Sequence, residues 1–246
     1  MDSQTHMPQA TDHLYIPMAQ NADSVDSQTQ HEARTSAGAQ TDRATTEPTD
    51  PKATVWLKPD QVDALRDATV ATSASYLAGR NDVLLALLYD TGLRVGELVA
   101  LDVEMLDLDE GVLMLPASIQ KDYPNDNSPQ YTEIELAGET IRALRMYLSS
   151  RWKDSPALLP SRQAERMTTE SVRNVVCAAA EAAGVRPFTV EGRGSPEQVT
   201  PHTLRHSVAY RMLNRERGNT LYDVTKRLRH ATIQTTERVY SHFDRV

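Results

Sequence analysis

The sequence predicts an α+β fold, mostly α-helical, with a small three-stranded antiparallel sheet. Three observations lead there. From about residue 57 onward, apolar residues recur at helical spacing in one segment after another. A single stretch, GVLMLPASIQKDYPNDNSPQYTEIEL from Gly111 to Leu136, changes to short β-prone runs separated by Pro, Asn, Asp and Ser. The longest apolar run, VLLALLY from Val83 to Tyr89, is far shorter than the ~18 residues that span a bilayer.

Residues 1 to 52 are rich in Ser, Thr, Gln, Asp and Ala and show no apolar periodicity beyond the short LYIPM at Leu14 to Met18. Such a segment buries too little to offset the entropy of ordering, so a disordered acidic tail is expected there, and one folded domain over residues 53–246. The start, MDSQTHMPQATDHLY, has neither the basic opening nor the apolar stretch of a secretory signal, which predicts a cytoplasmic protein.

Order is expected to begin at LKPDQVDALRDA, where Pro59 suits a first helical turn and Val62, Leu65 and Val70 are expected on one face. A second helix is predicted from about Asn81 to Tyr89, ended by Gly92 in a left-handed conformation, and a third from Val95 to Leu101. The predicted strands are 111–115, about 117–121 and 131–136, with Lys121 where the second enters its hairpin loop. Helices return at about 139–152 and 168–183, the latter with Val172, Val175, Val176 and Ala179 at i, i+3, i+4 and i+7 and Gly184 just beyond. The lone cysteine, Cys177, falls in that helix and reads as a packing residue. Gly184 to Thr200 reads as a loop or small hairpin, followed by helices at about 202–214, 221–228 and 233–240.

The formal net charge of −8 argues at first against nucleic acid, whose nonspecific affinity comes from Lys and Arg displacing counterions. Eight of the acidic residues lie within 1–52, however, against Arg34, Arg43 and Lys52. The cations are also unevenly chosen, five lysines to twenty-one arginines, and arginine is the bidentate phosphate binder. An acidic, lysine-poor chain equally suits a high-salt cytoplasm, so a halophilic origin is a second expectation.

Three motifs carry chemistry-bearing residues: TGLRVGEL (Thr91 to Leu98), HTLRH (His202 to His206) and LRHATIQTTERVY (Leu228 to Tyr240). In this order they resemble the boxes of the tyrosine recombinase, or phage integrase, family, over roughly Lys58 to Val246. The resemblance implies a tyrosine recombinase-like catalytic domain that cuts and rejoins double-stranded DNA through a 3'-phosphotyrosine. Tyr240 matches the nucleophile. Arg94 and Arg205 match the guanidinium pair that clamps the phosphate oxygens as charge builds on them. His202 fits the general base and His230 the second histidine that hydrogen-bonds the phosphate. Lys121 stands where the family carries its general-acid lysine. Neither ATP nor a metal cofactor is needed for such chemistry.

His202 and Arg205 are one helical turn apart, so a helix points both at one phosphate. His206, four residues from His202, raises the idea of a zinc pair, but no HExxH glutamate or nearby cysteine supports it, and packing or a contact behind the site is expected. Glu97 reads as a structural partner of nearby basic groups. Arg229 occupies the position where the family usually has a glycine before the histidine. The position of the family's separate helical DNA-binding domain holds only the polar tail, and six residues follow Tyr240. Site choice is therefore expected from the catalytic domain alone or from an accessory DNA-binding protein, with a homo-oligomer forming on DNA and no membrane involved. Two alternatives stand beside the enzyme: a recombinase-derived DNA-binding or regulatory module without turnover, and a type IB topoisomerase.

Overall fold

In the computed structural model, residues 55–121 and 130–243 are described. The tail expected over residues 1–52 lies outside them.

Helix α1 (Pro59–Thr72) begins at the expected proline, and α2 (Ser75–Thr91) ends at Gly92, whose φ of 65° and ψ of 28° are left-handed as predicted. From Val83 to Leu88 every residue of α2 is buried, so this stretch of the helix has no solvent face and forms the centre of the molecule. Each of its fully buried leucines (Leu84, Leu85, Leu87, Leu88) contributes about 1.5 to 3 kcal/mol relative to exposure. Two details differ from expectation. Val70 is 64% exposed, because the buried stripe of α1 runs through Val62, Leu65 and Thr69 and Val70 lies roughly 80° away from Val62 at 100° per residue. And α2 starts at Ser75 rather than near Asn81, its first turns held by buried Arg80, which donates to Pro160 O at 2.8 Å and to Asn81 Oδ1.

After α3 (Val95–Ala100) the chain forms β2 (Leu106–Asp107), β3 (Val112–Leu115) and β4 (Thr132–Glu135), an antiparallel sheet in the order β2-β3-β4. This is the predicted three-stranded sheet with a different membership. Ala117–Ile119 is a 3-10 turn, not a strand, and Leu106–Asp107 takes the third place. Pro116 has no N–H to extend a ladder, and the Gln120 amide donates to Leu115 O at 3.1 Å and Gln130 O at 2.8 Å, folding the chain back on β3. Lys121 thus follows a turn, in the connection between β3 and β4, rather than a strand end.

Helices α4 (Gly138–Ser149) and α5 (Thr169–Ala182) appear as predicted within a few residues, and Thr168 caps α5 by accepting from Ser171 N at 3.1 Å. Cys177 is half-buried and directs its thiol to Val199 O at 3.4 Å. A second small sheet, β1 (Val55–Trp56) with the hairpin β5 (Phe188–Thr189) and β6 (Gly192–Arg193), includes the hairpin expected in 184–200.

Helix α6 (Pro201–Asn214) is also buried almost all round, because it runs between two apolar clusters. Leu204 joins the main core around α2, whereas Val208, Ala209 and Met212 pack with Val224 and Leu228 of α7 (Leu221–Leu228) and with Val239 and Tyr240 of α8 (Ile233–Tyr240). Buried Ser207 joins β1 to α6, accepting from Leu57 N at 2.8 Å and donating to Thr203 O at 2.7 Å. Among the described residues no helix is long and apolar enough to cross a membrane.

Candidate active site

Four local devices aim the side chains. Left-handed Gly92 turns the chain out of α2 so that Arg94 becomes the N-cap of α3, where Glu97 reaches back to Arg94 N at 2.8 Å and Arg94 Nη1 at 2.9 Å. Thr200 caps α6, with Pro201 in its first turn, and presents His202 and Arg205 one turn apart. Arg229, with φ 53° and ψ 51°, ends α7 in the left-handed region that glycine favours, and turns the chain to His230. Thr232 caps α8 by accepting from Thr235 N at 3.3 Å, and Tyr240 is the last residue of that helix.

The result is one cleft of about 280 Å³ lined by Arg94, Lys121, His202, Arg205, His230 and Tyr240, all six residues singled out from the sequence, together with His206. Lys121 and His202 are exposed at its mouth, Arg94 and His230 are half-buried, and Arg205 and Tyr240 form its floor at 3% and 1% exposure.

Arg205 is fixed by the main chain: its Nη1 donates to Gly92 O and its Nη2 to Leu228 O. Each terminal nitrogen carries two hydrogens, so one on each remains to meet an incoming oxygen. Burial, then the neighbouring Arg94, pulls this guanidinium down to about 9, so it is still a cation at neutral pH. Arg94 Nη2 donates to Arg229 O at 3.3 Å. Glu97, at 2% exposure, also accepts from Arg229 Nη2 at 2.6 Å. Burial pushes its carboxyl up, but the Arg229 guanidinium, the Arg94 N–H and the Arg94 guanidinium outweigh that and hold it below the usual carboxylate range. The structural role expected of Glu97 is the one seen.

Tyr240 donates to or accepts from His206 Nδ1 at 2.9 Å. Burial pushes its phenol up to about 12 against the opposing pull of Arg205 and Arg94. The His230 ring lies parallel to the Tyr240 ring, 2° between planes and 5.9 Å between centroids, with its Nδ1 bonded to Thr236 Oγ1 at 2.8 Å. Burial, then Arg205 and Arg94, brings His230 down to about 3, a neutral imidazole. His202 meets the His206 ring at 4.1 Å.

The model of the phage integrase family matches residues 55–245. The chain belongs to that family. Among its curated relatives, the tyrosine recombinase XerC of Herpetosiphon aurantiacus is 34% identical over 188 residues, 74% of this chain and 54% of the relative. The tyrosine recombinase XerD of Oceanobacillus iheyensis is 33% identical over 189 residues, 76% of this chain and 57% of the relative. This integrase-family chain thus spans about half the length of the curated relatives it matches. In fold it is similar to XerA recombinase (TM-score 0.59, 24% identity, 78% of this chain and 60% of that one). It is likewise similar to XerH site-specific recombinase bound to its difH substrate before cleavage (TM-score 0.60, 22% identity, 79% of this chain and 52% of that one).

Two residues in this integrase-family site were read only in part from the sequence. His206 was expected to pack or to make a contact behind the site, and it is buried against Tyr240; that partner, 34 residues on, was not foreseen. Arg229 was legible only as a departure from glycine; the left-handed turn it adopts was not read from the sequence.

Proposed function

We propose that this chain is the strand-cutting and rejoining domain of a site-specific DNA recombinase, acting on double-stranded DNA through a phosphotyrosine. The observation that carries the reading is convergence: residues from the N-cap of α3, α6, the turn after α7, α8 and the β3–β4 connection, remote in sequence, meet in one cleft with a tyrosine hydroxyl at its floor. A phosphodiester seated there would lie between Arg94 and Arg205, whose fixed positive charge opposes the negative charge that in-line attack builds on the nonbridging oxygens. Tyr240 attacks phosphorus as the bond to the 5'-oxygen breaks; the phenol proton leaves toward His202, and Lys121 protonates the departing oxygen. His230, neutral, hydrogen-bonds the phosphate. The folded domain begins near residue 53, acts as a homo-oligomer on DNA, and draws on an accessory DNA-binding protein for site choice.

The test is a nicked DNA substrate carrying its attachment site, incubated with purified protein and resolved on a denaturing gel. A covalent adduct that Tyr240→Phe abolishes is expected. If DNA is bound and no adduct forms, the reading gives way to a recombinase-derived binding module.

A further inference from the structure

Three histidines share the cleft with Tyr240, and they are not equivalent. His230 lies face to face with it and has its Nδ1 bonded to Thr236, an orientation that shields the ring without reaching the hydroxyl edge-on. His202, exposed at the cleft mouth, meets the ring of His206. His206 stands edge-on to the tyrosine, 71° between planes and 5.5 Å between centroids, with its Nδ1 2.9 Å from the hydroxyl. We propose that His206 is the residue that fixes the Tyr240 hydroxyl in line with the scissile phosphate, through its Nδ1 and as a neutral imidazole. The inference rests on the phosphotyrosine reading above and adds a positioning residue to it.

The physical case has two parts. A phenol oxygen at the end of a long side chain is free to rotate its hydrogen, and attack on phosphorus requires a lone pair aimed along the departing bond. A hydrogen bond from His206 Nδ1–H to the phenol oxygen fixes that oxygen on the floor of the cleft through one lone pair and leaves the other lone pair and the phenol's own hydrogen toward the space that Arg94, Arg205 and His202 line. The second part is charge. His206 is 8% exposed and faces Arg205 and His202 from its own helix, His230 from the turn after α7 and His242 beyond α8; burial, then these neighbours, brings it down to about 2. It therefore stays neutral with its bond intact across the pH range in which the protein works, and proton removal is left to the exposed His202.

Two variants separate this role from bulk and from proton transfer. Asparagine places an amide N–H near the former Nδ1–H and cannot take up a proton; leucine fills similar space with no donor. Single-turnover adduct formation on the nicked substrate should fall by about 100-fold in His206→Leu, the scale of a misplaced reacting group, with DNA affinity unchanged. His206→Asn should recover to within about 10-fold of the parent. Leucine at parental rate overturns the proposal, and so do equal losses in both variants when both melt as the parent does. A second measurement reads the contact without catalysis. In the free protein the ¹⁵N signals of His206 should report a neutral ring at pH 5.5 and shift on Tyr240→Phe; a protonated ring, or no shift, overturns the proposal even if the parent forms no adduct, the outcome that counts against the phosphotyrosine reading itself.

Discussion

Arg229 carries two opposed contributions. Its left-handed backbone costs about 1 to 2 kcal/mol relative to the ordinary helical region, while its side chain, 4% exposed, neutralises Glu97 at 2% exposure. Removing one partner of a buried pair costs about 3 to 5 kcal/mol. Arg229→Gly should therefore relax the turn yet lower the unfolding free energy by about 2 kcal/mol in urea titration; a gain in stability would mean that backbone strain outweighs the ion pair. The histidines set a second balance. The folded values of His206 and His230 lie well below the unfolded value near 6.5, so the unfolded chain binds the protons first. Stability from these groups is complete above about pH 6.5 and lost as pH falls toward the folded values, by up to about 2.5 kcal/mol between pH 7 and 5.5 for the pair. His206→Asn should remove about half of that loss. Of these residues the motifs disclosed the charged and nucleophilic ones, whose chemistry is written in their type. They did not disclose the His206 contact, because a bond between residues 34 apart depends on how α6 and α8 cross.

At the level of elements, the end of α2 and the end of α7 act on the same group. A Cβ on Gly92 would stand 2.5 Å from Leu228 Cδ2, and the carbonyls of both Gly92 and Leu228 hold Arg205. Gly92→Ala thus meets a positive φ and a crowded neighbour at once. It should cost about 1 to 3 kcal/mol in stability and slow adduct formation more than it weakens DNA binding, because the displaced carbonyls aim Arg205; equal losses in both assays would contradict this. Helices α5 to α8 were legible within a few residues, α5 from its apolar spacing and from Gly184 just beyond it; their threonine caps emerged only with the structure. The sheet was less so. Leu106–Asp107 is too short to show any alternation, and the turn at Ala117–Ile119 is imposed by Gln120 bonding back to Leu115 O, a tertiary choice. The early start of α2 likewise depends on Arg80 finding Pro160 across the fold.

For the molecule as a whole, net charge is the unusual quantity. With a formal −8, the protein's 26 Lys and Arg are outnumbered by 34 Asp and Glu, whose charge opposes the exchange of cations for counterions on DNA. The plot of log affinity against log salt should be shallow, each neutralised phosphate adding about 0.9 to its slope on duplex DNA; a slope equivalent to many released ions would mean that acidic segments stay clear of the duplex. The overall class, mostly helical with a small antiparallel sheet, followed from periodicity alone, whereas the second sheet, with two-residue strands brought together from positions 55 and 188, had no periodic signal to give. The turn at Leu228 to His230 also fixes an order in time. Translation runs from the N- to the C-terminal side, so both arginines of the proposed phosphate clamp emerge before the carbonyls of residues 228 and 229 that hold them, and before the tyrosine. A chain cut short before residue 228 would therefore carry the proposed clamp without the carbonyls that aim it, and one cut short before residue 240 would lack the proposed nucleophile.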